Sequence, residues 1–307
     1  KVSVIQRSSR LMDRQLDKVA ANLLAKELRE RGMDLYFDDE VLYVNGEYTV
    51  ESVRLKSSRK IDCKAILFAI GTQPNVDFLK QAGLYVNRGV VVDEHLQTSD
   101  ECIYAMGEIA ERNGALFCIT AGAEEQANVL AEYLNGSTTS NYERTLSMNI
   151  LKVHGVELCS IGMVETPLND PEYEEIIFLD KTRKYYKKCI VHQDRLVGAI
   201  LMGDKSEFNE FRDWIKSGVE LGDKRETLLM SGSISKESLL GTLVCSCNTV
   251  GSGNIENAIK NGCNDLGSIC NTTGAGTGCG SCKPEVKAIL DRIKVEIETS
   301  KTDASYV

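Results

Sequence analysis

The sequence predicts an α/β protein followed by a small α+β domain and a small helical domain. Three observations predict it. The chain opens strand, helix, strand; five strand-like runs crowd residues 149–202; and two close cysteine pairs lie among glycines in the last quarter.

The opening Lys1-Val-Ser-Val-Ile reads as a strand with no lead-in and no initiator Met, so the chain is expected to be a piece of something longer. Over residues 13–31, Leu16, Val19, Ala20, Leu23, Leu24 and Leu28 recur at helical spacing, with Asp13 as the N-cap and Gly32 as the stop. Strands are expected near 35–37 and 41–44. Asn45-Gly46 then supplies the positive φ angles of a tight hairpin turn, with 50–55 pairing back. A buried strand is expected at 65–70, ending in Gly71, and a second apolar run ends at Tyr104-Ala105-Met106 before Gly107-Glu108. A helix follows over 119–134, with Ala123, Ala127, Leu130, Ala131 and Leu134 on one face and Gly136 after it.

Beyond a polar stretch at 141–147 come strand-like runs at 149–153, 157–161, 175–179, 184–191 and 196–202. A helix over 206–216 carries Phe208, Phe211, Trp214 and Ile215, which are expected to pack on the preceding sheet. Residues 222–241 read as a polar linker, and a last helix after Lys283 carries Val286, Ile289, Leu290 and Ile293.

A chain of 307 residues with 42% apolar residues can bury more than one core. The net charge of −9 argues against nucleic acid and anionic membranes as partners, because neutralising phosphate needs a basic face. No apolar stretch approaches the roughly 20 residues that span a bilayer, and a cytoplasmic protein is expected. Eleven scattered cysteines are not a disulfide framework. Cys63, Cys102, Cys118, Cys159 and Cys189 read as small hydrophobes. His95, His154 and His192 stand apart and suggest no hydrolytic triad.

Cys245-Ser-Cys247 and Cys279-Gly-Ser-Cys282 are separated by 31 residues. Thiolates are soft ligands that suit zinc or an iron–sulfur cluster, and four complete the shell of either; spacing alone does not choose. Gly274, Gly276, Gly278 and Gly280 let backbone N–H groups approach the sulfurs, which favours a redox cluster over structural zinc. The same residues, with the text from Thr272 to Pro284, resemble the bacterioferritin-associated-ferredoxin type of [2Fe–2S] domain over about 243–295. Cys263 and Cys270 fall outside that pattern and read as packed cysteines.

Ala69-Ile70-Gly71-Thr72-Gln73-Pro74-Asn75 and the later Gly89-Val-Val-Val-Asp93 … Ile103-Tyr104-Ala105-Met106-Gly107-Glu108 resemble the flavin-dependent pyridine-nucleotide oxidoreductases. That resemblance implies FAD. Gly71 and Thr72 would mark the return from the nucleotide domain to the FAD domain, Glu108 after Gly107 would face the ribityl chain, and Glu125 and Gln126 would open the next FAD-contacting helix. It also implies NAD(P)H, with Gln6 and Arg7 near the adenine ribose. Gln6 stands where NADH-preferring members carry a carboxylate, and Arg7 and Arg10 could hold a 2′-phosphate, so NADH and NADPH both remain open. No G-x-G-x-x-G turn occurs where either nucleotide would need one, so a front flavoprotein half is an expected partner.

In this order the parts resemble the large subunits of NAD(P)H-dependent assimilatory nitrite reductases, with Ile200-Leu201-Met202-Gly203-Asp204 fitting that family's text. The fold implied is a partial flavoprotein with two dinucleotide-binding domains (1–68 and 69–145), an α+β domain (146–222) and a helical [2Fe–2S] domain (242–298). The function implied is electron input from NAD(P)H through FAD to the cluster and on to a downstream sirohaem centre, in a homodimer. The alternatives are the electron-transfer component of an assimilatory nitrate reductase and a non-redox zinc-binding module.

Overall fold

The structure, a computed structural model, describes residues 1–117, 119–168, 170–229 and 239–303. Four consecutive segments interleave into two compact units, 1–70 with 147–234 and 71–146 with 235–307.

The first segment holds β1 (Ser3–Ile5), α1 (Lys18–Glu30), β2 (Asp34–Tyr36), β3 (Val41–Asn45), β4 (Ser52–Leu55) and β5 (Lys60–Asp62). β1 and β2 pair in parallel, with α1 as their crossover. The N-cap of α1 is Asp17, not Asp13: its Oδ1 accepts from Ala20 N at 2.9 Å, whereas Asp13 accepts from Ser8 Oγ. β3, β4 and β5 form an antiparallel meander. The expected tight turn at Asn45-Gly46 is a longer loop, because Asn45 pairs with Ser52 and six residues, 46–51, connect the two strands. Gly46 is needed for close approach within that loop, since a Cβ there would lie 1.8 Å from Thr49 O.

The expected buried strand at 65–70 does not form. It pairs with no strand among the described residues, and Leu67, Phe68 and Ile70 are 91%, 66% and 89% exposed. An apolar run becomes a strand only when neighbouring backbone takes up its hydrogen bonds.

The second segment holds α2 (Asp77–Gln81), β6 (Val90–Val91), a 3₁₀ turn (Gly107–Ile109), β7 (Ala110–Arg112), β8 (Ala115–Leu116) and α3 (Thr120–Leu134). The expected run before Gly107 is a loop tied back by Ala105 N to Leu96 O. Val92, Leu96, Ala110 and Tyr142 form its core, and an apolar cavity of about 260 Å³ opens beside it, lined in part by Phe78, Tyr104 and Met106.

The third segment holds β9 (Met148–Ile150), β10 (Leu158–Gly162), β11 (Tyr173–Asp180), β12 (Tyr185–His192), β13 (Arg195–Met202) and α4 (Phe208–Ser217). The five strands make one antiparallel sheet in the order β11-β12-β13-β10-β9. α1 packs on it through Ala20, Leu24 and Leu28, with Leu16 just before the helix, against Leu158, Tyr186, Ile200 and Met202. Phe208 and Phe211 of α4 are buried, the packing role expected of them. Beneath α4, Lys187 Nζ bonds Glu207 Oε1 at 2.7 Å; burial still holds the Glu207 carboxyl above its ordinary range, with Lys187 opposing it.

The expected linker begins as a 3₁₀ turn (Gly222–Leu229), and 230–238 lie outside the described residues. The fourth segment holds β14 (Leu243–Cys245), β15 (Val250–Gly251), α5 (Ser252–Lys260), α6 (Leu266–Thr273) and α7 (Lys283–Asp303). The three helices pack on one another through residues that include Ile255, Ile259, Ile269, Val286 and Leu290. Among the described residues no helix is long and apolar enough to cross a membrane.

Candidate functional site

Two hairpin-like corners bring the four cysteines together. Cys245 ends β14 and Cys247 lies in the turn toward β15; Cys279 and Cys282 lie in the glycine loop that leads into α7. Cys247 Sγ is 3.4 Å from Cys279 Sγ, and Cys245 shares hydrogen bonds with both Cys247 and Cys282. Thus the thiols meet in the string 282–245–247–279, across the two corners as well as within the first. Among the described residues no three or more His, Cys, Asp or Glu side chains are set as the shell of a single ion. Cys245, Cys247 and Cys282 are buried and Cys279 is exposed, with its sulfur 2.9 Å from Ser281 Oγ.

The electrostatics follow from crowding. The neighbouring Cys247 thiol pulls Cys245 down to about 5, helped by the N–H groups of Gly276 and Asn248. Burial and the Cys245 charge push Cys282 up to about 12, and the shared proton drives Cys247 upward too. One thiolate is therefore favoured by hydrogen bonds at Cys245, and ionising Cys247 and Cys282 beside it calls for positive charge among them. That donor set, soft and mostly buried, fits a thiolate-bound cluster.

The glycine loop supplies what its composition suggested at one position. Gly276 N–H reaches both Cys245 and Cys282. Its φ is +77°, and a Cβ would lie 3.0 Å from Lys283 Cγ and 3.1 Å from Cys270 Sγ. Sequence reasoning missed Asn248, whose Nδ2 donates to Gly274 O and, at 3.0 Å, to Thr277 Oγ1, locking one corner to the other. An amide immediately after Cys247 was the available signal. Cys270 is buried as expected, Cys263 half-buried.

The flavin-facing candidates divide. Gly107 N–H donates to Gln126 Oε1 at 2.6 Å, so the 3₁₀ turn is fixed to α3. Gln126 is fully buried, and its Nε2 has no partner among the described residues. Gly107 has φ +83° with open space where a Cβ would be, and Glu108 is exposed beside it. An orphaned amide and an open glycine face fit a polar cofactor at this turn. Glu125 lies next to Gln126 on α3, while Gly71 and Thr72 are exposed in an irregular stretch.

Near the nucleotide candidates, Gln6 bonds Ser8 Oγ and Arg7 is exposed. Arg10 is paired with Glu165 at 2.8 Å and donates to Asp13 O. Of the lone cysteines, Cys159 and Cys189 are buried, and burial pushes Cys189 up to about 12; Cys63 is half-buried, Cys102 is exposed against expectation, and Cys118 lies outside the described residues.

Three family models match the chain. They are pyridine nucleotide-disulphide oxidoreductase over residues 1–128, rubredoxin NAD+ reductase C-terminal domain over 148–219, and BFD-like [2Fe-2S] binding domain over 243–292. Among curated relatives, a nitrite reductase [NAD(P)H] of Bacillus subtilis is 35% identical over 94% of this chain and 36% of its own length. An assimilatory nitrate reductase electron transfer subunit of the same organism is 30% identical over 94% of this chain and 38% of its own. The chain thus spans little more than a third of these relatives. Among solved structures, reduced Bacillus anthracis CoADR-RHD shares the fold with TM-score 0.64 at 24% identity, over 76% of this chain and 45% of that one.

Proposed function

The chain belongs to the pyridine nucleotide-disulphide oxidoreductases and carries a BFD-like [2Fe-2S] binding domain; from that premise we propose that it is the electron-input section of an NAD(P)H-dependent nitrite reductase. The observation that carries the reading is the string of four thiols, three of them buried, in the same compact unit as Gly107 and Gln126. A two-iron cluster takes two thiolates on each iron, which suits a string of neighbours better than it suits one zinc ion.

FAD, NAD(P)H and the cluster together supply the conversion of two-electron hydride chemistry into one-electron transfer. In this reading Cys245, Cys247, Cys279 and Cys282 hold the cluster, while Gly276 and Asn248 direct N–H groups at its sulfurs. Gly107, Glu108, Glu125 and Gln126 bind and orient the flavin, with Gly71 and Thr72 at the domain return, and Gln6 and Arg7 meet the nucleotide. The corresponding domains are 1–68, 69–145, 146–222 and 242–298. Exposed Cys279 is the edge from which electrons leave toward a downstream sirohaem centre. The cytoplasm as its compartment and a homodimeric assembly rest on family likeness.

The second reading is an electron-transfer subunit serving a separate nitrate reductase, supported by the comparable coverage of that relative. Both readings share one test. Anaerobically purified protein is examined by visible absorption and low-temperature EPR before and after dithionite, with iron and zinc quantified. We expect about two irons per chain and a rhombic reduced signal abolished by Cys279→Ala. One zinc per chain with no visible absorption sinks the cluster and leaves a structural zinc module.

A further inference from the structure

Lys283 follows the last cysteine and opens α7, yet it is not a ligand type. Its side chain lies along the backbone of the cysteine loop. A Cβ at Gly276 would sit 3.0 Å from Lys283 Cγ, and one at Gly280 would sit 3.9 Å from Nζ. Gly276 is the residue whose N–H meets Cys245 and Cys282, and Gly280 adjoins Cys279. The ammonium therefore lies along the backbone of the cysteine loop, where its charge also reaches the thiol of Cys270. Its carboxylate partner, Glu124 Oε2, is 3.7 Å away on α3, two residues before the buried Gln126. The two side chains are 42% and 56% exposed. Ion pairs that wet add little to stability, so what this one delivers is charge and its placement.

We infer that Lys283 sets the electrostatic potential at the cysteine quartet, with Glu124 of α3 tempering its charge. The inference rests on the cluster reading above. Reducing a [2Fe–2S] cluster adds one electron, from dithionite in a titration or from the reduced flavin in turnover. No bond to the protein forms or breaks, and the site gains one negative charge. A neighbouring cation favours the reduced form, a neighbouring anion disfavours it, and salt weakens both effects.

Lys283→Gln therefore moves the midpoint potential to more negative values and Glu124→Gln moves it to more positive ones, while Lys283→Arg stays near the parent. A merely structural role gives no such opposition of sign. The experiment is an EPR-monitored redox titration of the cluster-loaded holoprotein and these three variants, with iron quantified, at low and high salt. The expected result is opposite shifts, larger for Lys283→Gln, both shrinking at high salt. Unchanged midpoints, or shifts of the same sign, overturn the inference and leave the cluster reading standing. A parent protein without the two-iron signal overturns the reading beneath it. Should Lys283→Gln fail to load iron, Glu124→Gln decides alone, since Glu124 lies outside the cysteine loop: a positive shift supports the inference and no shift overturns it.

Discussion

Ile200 and Ile70 are the same residue in apolar runs of similar text, yet Ile200 is 0% exposed and Ile70 is 89% exposed. Ile200 lies in β13, whose backbone is paired on both sides by β10 and β12, and α1 closes over that part of the sheet. Ile70 ends a run that no described strand flanks. An apolar run thus states a demand for burial, and only the surrounding backbone decides whether the demand is met. The largest effect expected from this contrast is at the sheet. Ile200→Ala should cost about 2–5 kcal/mol, because the lost transfer energy is joined by the energy of the cavity left behind. Chemical denaturation measures it, and a cost below about 1 kcal/mol would mean that the sheet relaxes around the gap.

The same contrast separates what could be read in the sequence from what could not. The strands β9–β13 and the four cysteines were legible because their partners are named by local pattern: strand runs meet one another, and each cysteine pair is a short motif. The N-cap of α1 was not. Asp13 and Asp17 are chemically identical candidates, and what favours Asp17 is remote: Tyr186 Oη donates to its Oδ2 at 2.6 Å from 169 residues away, and Lys188 lies 3.5 Å off. The hairpin at Gly46 was half legible, since the glycine is required but by a loop that closes on Thr49 rather than by a two-residue turn. The pairing of Arg10 with Glu165 was not legible either, because the two are distant in sequence. At the quartet the four cysteines that meet were legible, whereas the bridge made by Asn248 and the place of Lys283 rest on geometry that no spacing records.

A buried charge offers a middle-sized test in the other unit. Glu111 is 2% exposed and accepts from Gly89 N at 2.7 Å, Arg88 N at 2.8 Å and Asn87 Nδ2 at 2.7 Å. Burial pushes its carboxyl up, and these three donors outweigh burial and leave it lowered from the ordinary 4.5. A lowered carboxylate stabilises the fold above its unfolded value, and that contribution is lost as pH falls from about 4.5 through the lower folded value. Glu111→Gln should cost about 1–3 kcal/mol near neutrality, because an amide cannot accept at both oxygens. It should also flatten the acid limb of the stability profile. Equal acid slopes in parent and variant would show that the three donors are satisfied without the charge.

The smallest expected effect sharpens the comparison most, because it repeats the first substitution at the exposed site. Ile70→Ala removes the same three carbons as Ile200→Ala, but from a side chain already in water. No cavity forms, and little transfer energy is lost. Exposed substitutions of this kind stay within about 0.5 kcal/mol. The matched pair therefore holds chemistry constant and varies only burial, and its ratio reads how much of the cost at Ile200 comes from the sheet. Exposed apolar surface at Leu67, Phe68 and Ile70 also invites self-association. Light scattering against concentration should fall for Ile70→Ala while its denaturation midpoint stays put. A loss of 2 kcal/mol or more, in the range expected for buried Ile→Ala changes, would place Ile70 under cover in solution and erase the contrast with Ile200.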